Sequence, residues 1–389
     1  MFIQVKFIEL VGFILFFYMY PFLVYPLFLY ILTSLKKPAK VKVIDSTYEL
    51  PFVSIIIAAF NEASSIAKKI ENILSLDYSM NKLEIIIVSD GSTDSTVAIS
   101  SGFPNPNIHV IELNERKGKT HAQNIGVAFS KGDVLVFSDA NTVLEKSALK
   151  NIVSCLLSSD RIGCVSGNLI YLSNNRIIGE AEYQRYDTLI KKLESNFFSA
   201  IGVNGAFYAL RKRDFVILPD DIISDFVEPL EIYRKYRKIT VFCENAKCFE
   251  EEPHKNNEIT SIVERKSRIV VRGLRGLFYV KELLNPLKHP IMAFELISHK
   301  LMRWTSTWLL FLIYFLPLLY FNSFGLRIFA IENLVICLTF LFYLVYKRIS
   351  KRLPILDALF YFLSLILAEI LAWYYFLSGR TFKTWTTKR

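Results

Sequence analysis

Residues 84–94 read EIIIVSDGSTD, a β-branched run that ends on an acid and a glycine. Such a run forms a short buried strand, Gly91 lets the chain leave it sharply, and Ser92 or Thr93 can cap the helix that follows. The rhythm repeats on either side. Residues 52–60 (FVSIIIAAF), 108–113 (IHVIEL) and 133–138 (DVLVFS) read as strands, and 62–75, 92–100 and 117–130 as the helices among them. Strand alternating with helix predicts an α/β domain with a mostly parallel sheet covered on both faces. Ligands of such sheets bind outside the carboxyl ends of the strands. That edge carries Asn61 and Glu62 after the first strand, Asp90 after the second and Asp139 after the fourth.

The ends of the chain differ from this middle. Of 389 residues, 52% are hydrophobic and 14% aromatic, and the apolar ones gather at both termini. Residues 7–32 form an apolar run with Glu9 as its one charge. It is too long for a signal-peptide core and lacks a small-residue cleavage site, so it is expected to stay as a membrane span kinked at Pro21 and Pro26. Three more candidate spans cover 304–321, 328–346 and 355–379. They carry Glu332, Asp357 and Glu369, carboxylates that need a partner or a water-lined path in a bilayer. Asp357 and Glu369 stand about 120° apart around one helix and do not face one lumen. The stretch 269–303 alternates basic and apolar residues, is too polar to span, and reads as interfacial helices. The division is thus an N-terminal helix (1–35), a globular domain (48–268), the interfacial segment (269–303), C-terminal spans (304–379) and a basic tail (380–389).

The formal charge of +10 comes without a basic helix or aromatic-basic interleaving, so no nucleic-acid partner is expected. Lys36, Lys37, Lys40 and Lys42 follow the first span, and Lys347, Arg348, Lys351 and Arg352 lie between two later ones. Such clusters mark a cytoplasmic face and predict a multi-pass plasma (inner) membrane protein with its globular domain in the cytoplasm. Four crossings would then leave the tail outside, although it carries Arg380, Lys383, Lys388 and Arg389. Either the charge rule fails there or one segment does not cross. Five scattered cysteines give no disulfide framework and suit a reducing compartment. Cys243, Cys248 and His254 make only a forced zinc set.

Three features carry chemistry. Asp139, Ala140 and Asn141 form a DxN triplet, and residues two apart in an extended segment point to the same side, so both oxygens can share one hard cation, Mg2+ or Mn2+. Asp90 can accept hydrogen bonds from a base or ribose, though DGST serves as well as a capping turn, and Asp94 fits the first turn of the helix with no further role. The run RKGKTH (116–121) puts three cations around a glycine at a helix start, where backbone N–H groups attract anions, and Lys119 is its candidate diphosphate contact. A solvated basic loop is the equal alternative.

In this order the chain carries AAFNE (58–62), SDGSTD (89–94), RKGK (116–119), SDAN (138–141), GVNGAFYALR (202–211) and SDFVEPLEIYRKYRK (224–238). Over residues ~50–270 it resembles the catalytic domain of the family 2 glycosyltransferases, the group that includes cellulose, chitin and hyaluronan synthases. The resemblance implies a Rossmann-like GT-A fold, a metal-dependent inverting reaction and a donor commonly carrying UDP. Carried over, it makes Asp90 a uridine contact, Asp139 the metal-binding acid and Asp225 the general base, and sets Gly205 and Ala206 beside the acceptor. Ala59, Asn61, Glu62 and Lys119 join the donor site. Two departures stand out: the acid that usually precedes the base is Ser224, and the synthases' downstream QxxRW appears only as RKSRI (265–269), with Arg268 left to hold the departing phosphate. Arg303 and Trp304 are a fallback pair or, more simply, interfacial anchors.

The expected activity is therefore extension of a polysaccharide from a UDP-sugar, coupled or not to its translocation. Transfer to an isoprenoid-phosphate or lipid-linked acceptor is the alternative, and an inactive membrane scaffold a remote one. Expected partners are the donor, a glycan or lipid-linked acceptor and the bilayer. Because four apolar helices offer little lining for a sugar path, any translocation calls on Glu369 with the interfacial segment, or on a second copy or export partner.

Overall fold

The computed structural model describes residues 2–35, 50–172, 178–251, 259–320, 323–346 and 354–382. The basic residues named at 36–42, 347–352 and 383–389, and His254, lie outside them.

After an N-terminal α1 (Phe2–Met19) and α2 (Tyr25–Leu35), the four expected strands form as β1 (Val53–Ala59), β2 (Leu83–Asp90), β3 (Ile108–Leu113) and β4 (Val134–Ser138). They are parallel, in the order β3-β2-β1-β4. Their unbroken apolar runs reflect burial on both faces: Ile55, Ile57, Ile85 and Ile87 enter one core and Ile56, Ile86, Val88 and Leu135 the other. The connecting helices are α3 (Ile66–Leu74), α4 (Thr96–Ser101) and α5 (Lys119–Phe129).

The sheet then doubles. β5 (Thr142–Leu144), β6 (Ile162–Leu172), β7 (Phe207–Arg211) and β8 (Ile239–Glu251) complete eight strands in the order β3-β2-β1-β4-β7-β6-β8-β5. The result is mixed but mostly parallel, as a GT-A fold requires. β7 runs against both β4 and β6, pairing Phe207 with Ser138. This reversal brings the turn before β7, with Gly205 and Ala206, to the carboxyl end of β4. The antiparallel pair β5–β8 likewise sets Glu250 opposite Thr142, next to Asn141. Around this half lie α6 (Ala148–Leu157), α7 (Ile178–Phe197) and α8 (Ser224–Tyr236).

Among the described residues, three apolar helices are long enough to cross a membrane: Lys6–Leu35, Phe324–Tyr346 and Leu359–Leu377. The first contains one π-helical turn at Tyr20–Val24, where Pro21 was expected to kink it. The segment expected at 304–321 is half of a bent pair, Pro290–Trp304 and Ser306–Leu319, angled by 49°, and counts as a fourth crossing only if that pair is one span.

A boundary at 268/269 would cut one continuous helix, α9 (Ile259–Tyr279), whose Leu277 shares a core with Phe226, Val227 and Leu230 of α8. The bent pair holds α10 (Pro290–Leu296), α11 (Met302–Trp304) and α12 (Ser306–Phe315), and α13 (Ser323–Tyr346) and α14 (Pro354–Leu377) follow. α9 lies along α14, with Phe278 stacked on Phe376 at 5.3 Å and Arg275 donating to the carbonyls of Gly379 and Arg380.

Arg303 and Trp304, expected as a fallback pair or interfacial anchors, pack against the protein. Arg303 is 8% exposed, among the rings of Tyr183, Tyr186 and Phe22, and Trp304 packs edge-on against Phe226 at 5.4 Å. The carboxylates of α14 find separate partners: Asp357 accepts from the Tyr346 hydroxyl, and Glu369 from Thr307 N and Ser306 Oγ at the start of α12. All five cysteines are free.

Candidate active site

At the carboxyl end of β1 and β2, two loops are stitched together. Asn61 adopts a left-handed conformation (φ 53°) and exchanges bonds with Thr93, while Asp94 accepts from Ala63 N and Thr96 N. The helix read from residue 62 therefore starts only at Ile66: the main chain of 61–63 is bound across the gap rather than within a helix. Asp94 has a structural task that its place in a first turn concealed. Burial works against its charge, but hydrogen bonds from Thr96 and Ala63 hold its carboxyl below the usual range. Ala59 is fully buried and exposes no atom to a ligand. Glu62 is buried and accepts from Ser65 Oγ.

Asp90 is also fully buried, its two oxygens accepting the main-chain N–H groups of Lys117 (2.8 Å) and Gly118 (2.9 Å). The anion drawn to the amino end of α5 is thus the protein's own carboxylate. It fixes the RKGK loop, where Gly118 at φ +109° makes a turn other residues rarely adopt. With the loop so held, Lys119 reaches across to Asp139 Oδ1 (2.5 Å) and the Gly205 carbonyl (3.0 Å). Burial pushes the Lys119 ammonium down, but Asp139 and Asp225 outweigh it and raise it above its ordinary value.

Beneath the DxN triplet lies Lys69, a residue the sequence did not single out. Its ammonium is buried and donates to Ser138 Oγ (2.7 Å), the Thr142 carbonyl (2.8 Å) and Thr142 Oγ1 (3.1 Å). Burial pushes it down to about 7, opposed by Cys248 and Asp139. The Asn141 amide donates to Glu250 Oε1.

Asp225 stands in the first turn of α8, facing the turn before β7. A Cβ on Gly205 would lie 2.5 Å from Asp225 Oδ2, and Val203 N donates to the Asp225 carbonyl at 2.8 Å. Ala206 presents its carbonyl to Asp139 N and Ser138 Oγ. Ser224, where an acid is usual, turns inward and donates to Gln123 Oε1 of α5 at 2.6 Å, so it faces the helix and not an acceptor. From α9, Arg272 feels Asp225 and Asp221, although burial lowers its guanidinium overall, and Arg275 lies 3.9 Å from Asp221. Arg268, one turn earlier, is acted on by Glu264 and Arg265. The α9 cation that acts on Asp225 is therefore Arg272, which shares a helical face with Arg268 four residues away.

The donor set fits a divalent cation that arrives with its own ligands. Asp139 is 33% exposed with Oδ1 on Lys119, the Asn141 and Glu250 side chains adjoin it, and no cluster of three acids, histidines or cysteines is present among the described residues. Such a site suits Mg2+ or Mn2+, which are held by one or two protein groups plus phosphate and water.

Residues 54–217 match the model of glycosyl transferase family 2. The chain is 27% identical over 172 residues to a poly-beta-1,6-N-acetyl-D-glucosamine synthase of Staphylococcus aureus, which is 43% of this chain and 41% of the synthase. It is 33% identical over 144 residues to the glycosyltransferase AglE of Haloferax volcanii, 36% of this chain and 46% of AglE. The matched stretch spans less than half the length of either relative. Among solved structures, it is similar to the mannosyltransferase PcManGT from Pyrobaculum calidifontis, solved in complex with GDP-Man and Mn2+. That likeness has a TM-score of 0.68 at 21% identity, covers 95% of this chain and 99% of that one, and shows the fold. The domain that carries these loops is a family 2 glycosyltransferase domain of GT-A fold, related to those of polysaccharide synthases.

Proposed function

We propose that the chain is a membrane-embedded inverting hexosyltransferase, its catalytic domain on the cytoplasmic face, that moves sugar from a nucleoside diphosphate donor, UDP-linked, onto a growing glycan. The observation that carries this reading is one contact chain: Lys119 bonds Asp139 and the Gly205 carbonyl, and Gly205 abuts the Asp225 carboxylate. Donor phosphates and acceptor hydroxyl thereby meet across a single glycine.

The oxygens of Asp139 and Asn141 would hold a divalent cation, which when bound would neutralise charge on the leaving diphosphate. Lys119 adds its charge on the same side. Asp225 takes the proton of the acceptor hydroxyl as that oxygen bonds the anomeric carbon, and the bond pair of the broken C–O bond leaves with the diphosphate on the opposite face. Arg272 sets its positive charge against the Asp225 carboxylate. The synthase relative supports a polysaccharide product. A lipid-linked acceptor is the second reading, favoured by the charged cavity beside the membrane helices described below.

Purified full-length protein, incubated with a panel of UDP-sugars and GDP-mannose in Mn2+ or Mg2+, is expected to release UDP and build a product that can be sized. Absence of turnover on every donor by well-folded protein would refute the reading, and turnover of GDP-mannose alone would replace the donor.

A further inference from the structure

Behind the Gly205 turn lies a second cavity, of 350 Å3, enclosed by α7, α9, α11, α14 and the π turn after α1. Its lining holds four cations, Lys191, Lys266, Lys300 and Arg303, against two carboxylates, Asp187 and Glu369. Both acids are engaged: Asp187 pairs with Lys191 at 2.9 Å, and Glu369 caps α12. Two donors stay unsatisfied. Lys300 makes no hydrogen bond or ion pair among the described residues, its ammonium standing 6.0 Å from the centre of the Trp304 ring. Arg303 has its buried Nη2 without a hydrogen-bond partner.

The remaining wall is apolar, with Phe22, Phe362, Leu365 and Ile366. Phe17, Thr307 and Ile370, the sequence neighbours of lining residues Tyr18, Ser306 and Glu369, line an apolar cavity of 1240 Å3 against α1, α12 and α14. On its other side the charged cavity meets the acceptor face: Asn204, next to Gly205, lines it, and so does Trp304, which packs on Phe226 beside Asp225.

An excess of two positive charges, two unused donors and an apolar wall match the phosphate of a lipid on a hydrocarbon chain. We propose that this cavity receives the phosphate of a lipid-anchored acceptor, held by Lys300 and Arg303, with its chain leaving between α1 and α14 and its sugar hydroxyl directed to Asp225. The assignment rests on the glycosyltransferase reading only for what happens at Asp225; the phosphate site stands on its own geometry.

The test uses full-length protein in nonionic detergent, without donor, and follows tryptophan fluorescence on adding farnesyl phosphate, farnesol, inorganic phosphate or phosphatidylglycerol. Farnesyl phosphate is expected to bind more tightly than farnesol or inorganic phosphate. Lys300→Gln should weaken it about tenfold or more, and Lys300→Arg should restore most of the loss. Lys300→Gln breaks no hydrogen bond or close ion pair among the described residues, and its melting curve is taken beside wild type so that a folding defect is told apart from lost binding. Equal binding of farnesol and farnesyl phosphate overturns the proposal, as does an unchanged affinity in Lys300→Gln. Inorganic phosphate binding as well as the lipid, or phosphatidylglycerol displacing it at equal concentration, likewise overturns it, in favour of a free-anion or ordinary headgroup site. Donor turnover measured in parallel separates the two readings: turnover without farnesyl phosphate binding sinks this inference alone, and Lys300-dependent binding without any turnover sinks the proposed function alone.

Discussion

Replacing Gly205 by alanine tests the placement of Asp225 without touching either charge. The added methyl would stand 2.5 Å from Asp225 Oδ2 and 3.2 Å from its Cγ, where ordinary contact begins at 3.4 Å, so the carboxylate must retreat by roughly 0.9 Å. The backbone at 205 is outside the left-handed region, and the obstacle is the tip of a side chain, so folding stability should change by less than about 1 kcal/mol. Displacing a reacting group by about 1 Å costs on the order of 100-fold in rate. The Gly205→Ala enzyme should therefore melt within a few degrees of wild type and bind nucleotide normally, yet turn over donor with acceptor about 100-fold more slowly. Asp225→Asn should reach a similar floor, and the double variant should fall no further, because both changes act on one proton transfer. Turnover of Gly205→Ala within threefold of wild type, at an unchanged melting temperature, would refute the assignment of Asp225 as a base held in place by that close contact.

Four further outcomes are expected. Glu228, buried one turn after Asp225 and pushed up to about 8 by burial against a bond from Tyr208, keeps its proton when folded and has lost it when unfolded between about pH 4.5 and 8. Stability should fall with rising pH across that window, by up to about 5 kcal/mol, and melting of Glu228→Gln should lack the slope. Lys69 acts in the opposite sense: lowered to about 7, it is neutral when folded and charged when unfolded from about pH 7 to 10.5, so stability should rise across that range and Lys69→Met should flatten the melting curve there. Chelation should abolish turnover and Mn2+ restore it, and Asp139→Asn should weaken Mn2+ binding in the presence of UDP, read by paramagnetic resonance, about tenfold or more. Arg380→Cys, in a Cys337→Ser background, should react with an impermeant maleimide from the same membrane side as Glu244→Cys on the catalytic domain, because Arg275 ties the Arg380 carbonyl next to Asp221; reaction from the opposite side would mean that α14 ends away from that domain.

What the sequence disclosed follows from how local each signal is. β1, β2 and β4 were legible because burial on both faces forces unbroken β-branched runs. β8 was not: ITVFCENAKCFEE mixes charges into a strand whose pairing with β6 shifts register at Ser166/Asn168. The approach of Glu250 to Asn141 depends on the long-range β5–β8 pairing and leaves no local trace. Asp90 was visible as a special acid, but attraction of an anion to a helix start is the same physics for a ligand and for the chain's own carboxylate, so the pattern did not reveal that the loop itself takes both oxygens. Lys69, one lysine on an amphipathic helix, carries no mark of burial. Arg272 did leave a signal, a helical repeat with Arg268, hidden because that stretch was read as interfacial. The resemblance to the family supplied Asp225 and the Gly205 turn, which composition alone would have left as a solvated loop and an ordinary bend.

The two halves of the site depend on different parts of the molecule. Asp90, Lys69 and Asp139 are held by the sheet and its own loops, and Lys119 bridges from Asp139 to the Gly205 carbonyl. The face around Gly205 and Asp225 is held otherwise. Glu194, fully buried, accepts from the Tyr25 hydroxyl of α2 and from the main-chain N–H of Ile201, and its carboxylate lies 2.7 Å from His299, so one side chain joins the N-terminal helix, the bent pair and the turn that leads to Gly205. On the other side of Asp225, a Cβ on Gly276 would lie 2.6 Å from Val227, and one on Gly273 2.5 Å from Trp304, so α8, α9 and α11 are in contact at glycines that leave no slack. Interiors packed this closely shift as units rather than deform. A rearrangement of the apolar helices would thus reach the Gly205 turn and Asp225 through direct packing, and on the proposed reading an acceptor arriving from the bilayer meets the face of the site that those helices position.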